Sequence, residues 1–383
     1  MRFDPENFSA ASRLHERINS ARFGVHYTFS PTSDIIASPI FQESYTSFNL
    51  GDPFFPFLLE QRERSAAFEI QHLYRGNGFN LTTGVGHYQI TRQLQINGPE
   101  IPGSDGTDSN LYNYAQLNLL QYDITIDMGL SYDRLNDLEV RRSQVNPKFG
   151  IIWNPMPATT VRAAAFKVVK RAFIADQTIE PTQVAGFNQF FDDLNGVISR
   201  LVGFAVDQKF SKNWYGGLEV SGRTLKRVPF ITVGEFAWKE QAQRGYLYWT
   251  PSAWLALTAA YQFEHFQRPV EFTGEENIIE VKTQRVPLKL SVSFASGLSA
   301  RFVATHIYQK GRFLDAIGDP FAGNARFWLA DVGLSYRLPR RLGQLIIEDR
   351  NLFNRSFRFQ ETDAATPSLA PRRFIFARWV LGF

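Results

Sequence analysis

The side chains able to do chemistry are few and scattered. Six histidines, His15, His26, His72, His87, His265 and His306, stand apart, with no HExxH pair at metal-ligand spacing. Cysteine is absent, which removes disulfides, thiolate metal sites and a thiol nucleophile. Neither a GxSxG elbow nor a phosphate-binding glycine loop occurs. Isolated histidines of this kind read as wall or girdle residues of strands. The expectation is a protein that is not an enzyme and needs no metal or cofactor. Net charge is +4, from arginines spread singly along the chain, so nucleic acid is not an expected partner.

What the charges do show is spacing. They fall on alternate positions of stretches about ten residues long, the length of a tilted membrane-spanning strand. In 124–133, Ile124, Ile126, Met128, Leu130 and Tyr132 oppose Thr125, Asp127, Gly129, Ser131 and Asp133. In 285–294, Val286, Leu288, Leu290, Val292 and Phe294 oppose Arg285, Pro287, Lys289, Ser291 and Ser293, and Pro287 should interrupt the ladder there. One face suits hydrocarbon and the other a wet lumen. The same parity sends Asp207, Lys209, Glu219, Arg223, Glu264, Arg301, Asp331, Arg337 and Arg378 inward, beside Asp127, Asp133, Arg285 and Lys289. Mixed charges on a pore wall either set its selectivity or pair with one another and stiffen it.

These stretches predict an all-β fold: a transmembrane, antiparallel, up-and-down β-barrel of 16–18 visible strands. The connections alternate between short turns and long loops, as periplasmic turns and extracellular loops do. Trp153, Trp214, Trp249 and Trp254 lie beside the short turns, at the place of an interfacial girdle. The longest loop, 174–196, holds Phe187, Phe190 and Phe191 beside Asp192 and Asp193. Aromatic residues there either grip a ligand or pack the loop into the barrel mouth. At the C-terminus, Ile375, Ala377, Trp379, Leu381 and Phe383 form one apolar stripe ending in an aromatic residue. Such a stripe resembles the signal read by the barrel-assembly machinery, and outer-membrane lipid is the other expected partner. Counting gives seventeen strands within 19–383, with 1–18 an extracellular-side segment or a scar of truncation. Single-chain bacterial barrels have an even number, so the expectation is part of a larger barrel.

The last fifty residues resemble TonB-dependent outer-membrane receptors. The likeness rests on Glu348-Asp349-Arg350-Asn351-Leu352-Phe353-Asn354-Arg355 followed by the strand from Arg373 to Phe383. A looser echo runs through Val161-Arg162-Ala163-Ala164-Ala165-Phe166 and Thr178-Ile179-Glu180-Pro181-Thr182-Gln183. The resemblance implies a transport barrel of the Gram-negative outer membrane that takes up a siderophore, sugar or similar solute. It implies TonB as a partner. Neither a plug domain nor a TonB box is found in the sequence. The alternative is an export or diffusion porin, for example in exopolysaccharide secretion, served by a separate periplasmic domain.

Overall fold

The computed structural model describes residues 2–3, 12–51, 56–101, 105–136, 141–172, 174, 177–191, 193, 195–227, 236–268, 278–314, 319–360, 369–370 and 372–381. The alternating stretches form seventeen wall strands. The first half comprises β1 (Arg13–Arg22, resumed as Val25–Ser30), β2 (Ser33–Asn49), β3 (Leu58–Arg75), β4 (Phe79–Ile96), β5 (Asp105–Leu119), β6 (Ile124–Asn136), β7 (Arg141–Met156) and β8 (Thr159–Val169). The second comprises β9 (Ile198–Lys209), β10 (Trp214–Arg227), β11 (Phe236–Ser252), β12 (Leu255–Gln267), β13 (Ile278–Ser293), β14 (Leu298–Leu314), β15 (Pro320–Arg337), β16 (Gly343–Arg350) and β17 (Phe374–Leu381). Each pairs antiparallel with the next, and among the described residues no ladder joins β17 back to β1. The structure is therefore an all-β, up-and-down sheet of barrel type that is left open, part of a larger barrel. Its two edge strands are exposed along almost their whole length. No helix among the described residues is long and apolar enough to cross a membrane.

The first strand corrects one expected boundary. It begins by Arg13 and not near residue 19, because both faces of Arg13–Arg22 carry polar side chains and alternation is lost there. Pro287 acts as expected: with no N–H to give, it lies where the β12–β13 ladder lapses between Leu288 and Arg285, without a change of register. At the short-turn end, Trp214 stacks on its cross-strand partner Trp249 with ring centroids 5.4 Å apart. Trp153 and Trp254 lie exposed near the same rim, forming an aromatic belt.

The motif at the end of β16 closes a turn. Asn351 takes a left-handed backbone conformation (φ 51°), which asparagine tolerates better than most residues. Its side chain donates to the carbonyls of Arg355 (3.0 Å) and Ala370 (3.3 Å) and accepts from the Arg355 N–H (2.8 Å). The inward Asp331 accepts from the Asn351 N–H at 2.8 Å. Asn351→Ala removes the side-chain hydrogen bonds that tie the backbone of Arg355 and Ala370 together and strains the turn. It is expected to lower stability by about 2 kcal/mol in a urea titration monitored by tryptophan fluorescence.

Candidate functional site

The chain between β8 and β9, residues 170–197, does not run over the surface. It folds back into the concave side of the sheet and lies across it. At its centre, Gln183-Val184 and Phe187-Asn188 form a two-rung hairpin. The tight turn has Ala185 and Gly186 both at positive φ, and the Arg162 guanidinium occupies the space that a Gly186 side chain would need. Val184, Ala185 and Phe187 are buried against Ala164, Phe166, Leu201 and Ala205 of β8 and β9. Phe187 lies over Gly203, where any side chain would displace it.

Polar anchors tie the segment to several parts of the wall. On β3, Glu69 accepts from the Ile179 N–H (2.9 Å) and the Thr178 hydroxyl (2.5 Å), and Gln71 donates to the Ile179 carbonyl (2.7 Å). On β5, Asp108 accepts from the Ala172 N–H at 3.0 Å, and Asn110 and Tyr114 donate to Glu180 at 3.1 and 2.6 Å. On β6, Asp127 accepts from the Ala185 N–H at 2.8 Å. Across the concave face on β10, Arg223 grips Asp193 at 2.9 Å and stacks over Phe191, 3.8 Å from its centroid. Arg22 of β1 donates to Gln177.

Arg171 is the keystone of this network. Its guanidinium bridges Glu180 (2.5 Å) and Asp133 of β6 (3.3 Å), and all three side chains are almost fully buried. Burial opposes the Arg171 charge. The carboxylates of Glu180 and Asp133 outweigh that opposition and hold its proton more firmly than in water. Beside it, Lys148 donates to Ser131 at 2.9 Å and sits 5.3 Å from the Tyr114 ring centroid.

Register places all thirteen charges expected on the lumen side on the face that carries this segment. Most of them are paired. Asp207 and Glu219 take Arg162 at 3.0 and 3.4 Å, Glu264 takes Arg285 at 2.8 Å, and Arg301 takes Glu348 at 2.9 Å. Arg223 also binds Glu240 at 2.5 Å. Lys209, Lys289, Arg337 and Arg378 occupy the same face by parity. The loop residues divide. Phe187 is buried inside and Phe191 packs against the same core, the packing alternative for this loop and not the ligand-gripping one. Phe190 is partly buried, and Asp192 lies outside the described residues. In the C-terminal stripe, Ile375, Ala377, Trp379 and Leu381 point outward and are exposed, while Phe383 lies outside the described residues. Glu69, Asp108, Tyr114, Arg162, Arg171 and Glu180 were not singled out as site residues. Glu69, Asp108 and Tyr114 carry only the signal of a polar side chain at an inward position, while Arg162 and Glu180 fall in the stretches of the looser family echo.

No protein-family model matches the sequence, and no curated protein does. Solved structures match in fold. BauA, the ferric preacinetobactin receptor from Acinetobacter baumannii, superposes with a TM-score of 0.63 at 11% identity, covering 96% of this chain and 63% of its own. The copper transporter OprC gives 0.62 at 10% identity, with 94% of this chain and 66% of OprC covered. The FrpB iron transporter from Neisseria meningitidis gives 0.61 at 12%, covering 94% and 71%. The fold is that of a TonB-dependent receptor barrel. It is thus an outer-membrane β-barrel fold, and the chain spans 53% of the FpvAI chain in its complex with pyocin S2. A receptor barrel of this kind carries its apolar side chains outward and its polar ones inward, as here.

Proposed function

We propose that this chain forms wall and constriction of an outer-membrane transporter, and that a solute passes the 170–197 segment on its way through. The observation that carries the reading is the segment itself. A stretch of the wall's own chain is laid across the concave face and bound to strands on both sides. Beneath it, toward the short turns, lies a cavity of about 330 Å³ lined by Asn80, Gln116, Asp127 and Gln183. A chamber lined by these polar groups together with Leu73, Leu81, Met128 and Val184, and closed on one side by a pinned segment, suits a solute with both polar and apolar parts. The fold favours uptake of a siderophore, sugar or similar solute, driven through TonB. In that case uptake stops when the inner membrane is de-energised. The second reading is a diffusion or export porin with a separate periplasmic domain. It is favoured by the narrowing being built from the wall's own chain.

Conductance in planar bilayers tests both readings. Arg223 fastens one end of the segment through Asp193 and Phe191. Arg223→Ala removes that clamp and leaves Asp193 and Glu240 without its charge. Conductance is expected to rise about twofold, and the reversal potential in a potassium chloride gradient to move toward cation selectivity. A wild-type protein that neither conducts nor binds any solute, with a variant that behaves identically, overturns the transport reading.

A further inference from the structure

The lipid-facing side of the wall is interrupted in one place by polar side chains that solute passage does not use. β6 and β13 keep their outward positions apolar through the membrane band: Ile124, Ile126, Met128, Leu130 and Tyr132 on one, Val286, Leu288, Leu290 and Val292 on the other. On β3, β4 and β5 the outward row His72, Thr83 and Asn113 breaks that rule, each residue standing opposite the next in the ladder. His72 is answered by the Ser33 hydroxyl at 2.9 Å. The Thr83 hydroxyl donates to Asn113 Oδ1 at 2.7 Å.

Asn113 is the member of the row left unanswered. It stands inside the apolar band: Leu111 and Ala115 flank it along β5, and Leu130, 52% exposed, faces it on β6. Its side chain is exposed, and among the described residues its amide nitrogen has no hydrogen-bond partner. An amide N–H turned into hydrocarbon without an acceptor is costly, and acyl chains have no acceptor to give. The carboxamide is also a side chain that complements itself. It holds N–H and C=O side by side, and Oδ1 keeps a second lone pair after accepting from Thr83.

We propose that the outer face of β4 and β5 docks a second copy of this chain in the membrane plane, with Asn113 paired to the partner's Asn113. Across a two-fold axis along the membrane normal, two such groups exchange two N–H···O=C bonds, and the same patch serves both copies. Ala115, next outward on β5, lets the two walls approach closely. β2, β3 and β4 separate the patch from the open β1 edge, so the contact does not compete with closure of the barrel. The proposal rests on the membrane reading of this face and not on solute passage. Its test measures association, so the two fail separately.

The experiment is oxidative crosslinking of the full chain in phospholipid vesicles. The chain has no cysteine, so single cysteines report alone. Ala115→Cys is expected to form a disulfide-linked dimer about tenfold faster than Leu288→Cys, which faces lipid on β13. Adding Asn113→Leu to Ala115→Cys should slow that crosslinking by about tenfold. The same change should raise the urea midpoint of the chain, since leucine suits hydrocarbon better than an unpaired amide. Association lost while stability rises is the signature of an interface residue. Equal rates at 115 and 288 overturn the proposal, and this comparison stands whether or not the Asn113 variant folds. Unchanged crosslinking in Asn113→Leu also overturns it, as does a lowered urea midpoint, which would mark a role within the wall. Fastest crosslinking at Ala21→Cys, on the β1 edge, overturns it in favour of edge pairing.

Discussion

Arg171→Ala is expected to release residues 170–197 from the concave face and to cost about 3–5 kcal/mol of stability. Removing one partner of a buried ion pair leaves the others charged without compensation, and the penalty is their desolvation. Here two carboxylates would be stranded, Glu180 and Asp133, each less than 5% exposed as a side chain. Among the described residues, neither has another arginine or lysine as a direct hydrogen-bond partner: Glu180 keeps Asn110 and Tyr114, and Asp133 keeps Ser131 and Asn146. Neutral donors offset part of a buried charge but not all of it. The segment can relieve the strain by swinging Glu180 into water, and that movement is measurable. The chain has no cysteine, so a single Gln189→Cys reports cleanly. Gln189 is 1% exposed, and in the Arg171→Ala background the cysteine placed there should react with maleimide at least tenfold faster than with Arg171 present. Unchanged labelling together with unchanged stability would mean the segment is held by its apolar core alone.

Much of the wall was legible in the sequence, because a strand between two solvents must alternate. Leu130 and Ser131 need no tertiary information to declare their faces, and the proline at 287 announces a missing donor. The inward segment was not legible, for a physical reason. Its anchors are long-range: Glu69 binds Ile179 across 110 residues of chain. Nothing near either residue marks the contact. The Ala185-Gly186 turn was the one local hint of a hairpin, and Phe187 beside it suited both a ligand contact and packing into the barrel mouth, with nothing local to choose between them. Outward cations near the strand ends, such as Lys167 opposite Arg200, were missed by an argument that holds only at mid-membrane. A charge facing hydrocarbon is excluded there, but at the strand ends a lysine or arginine reaches the headgroup layer at little cost.

Leu218→Arg gives the complementary test of the outer face. Leu218 is 68% exposed, the most open apolar side chain on β10, and lies between Trp214 at one end of the strand and Lys226 at the other. If that surface were wetted, exchanging a solvated leucine for arginine would change stability by a few tenths of a kcal/mol, as surface substitutions do. If it meets lipid, the guanidinium must be carried into hydrocarbon at about 2–4 kcal/mol near the midplane. Thr258 on β12 supplies the control. It pairs with Tyr248 and Lys289 on the inner face, where water reaches it, so Thr258→Arg should stay within about 1 kcal/mol of wild type. The readout is reversible urea unfolding in phospholipid vesicles. A large loss at 218 with a small one at 258 is what two solvents on two faces require. Equal losses would place both positions in a single dry interior, and the membrane-spanning reading would fall with them.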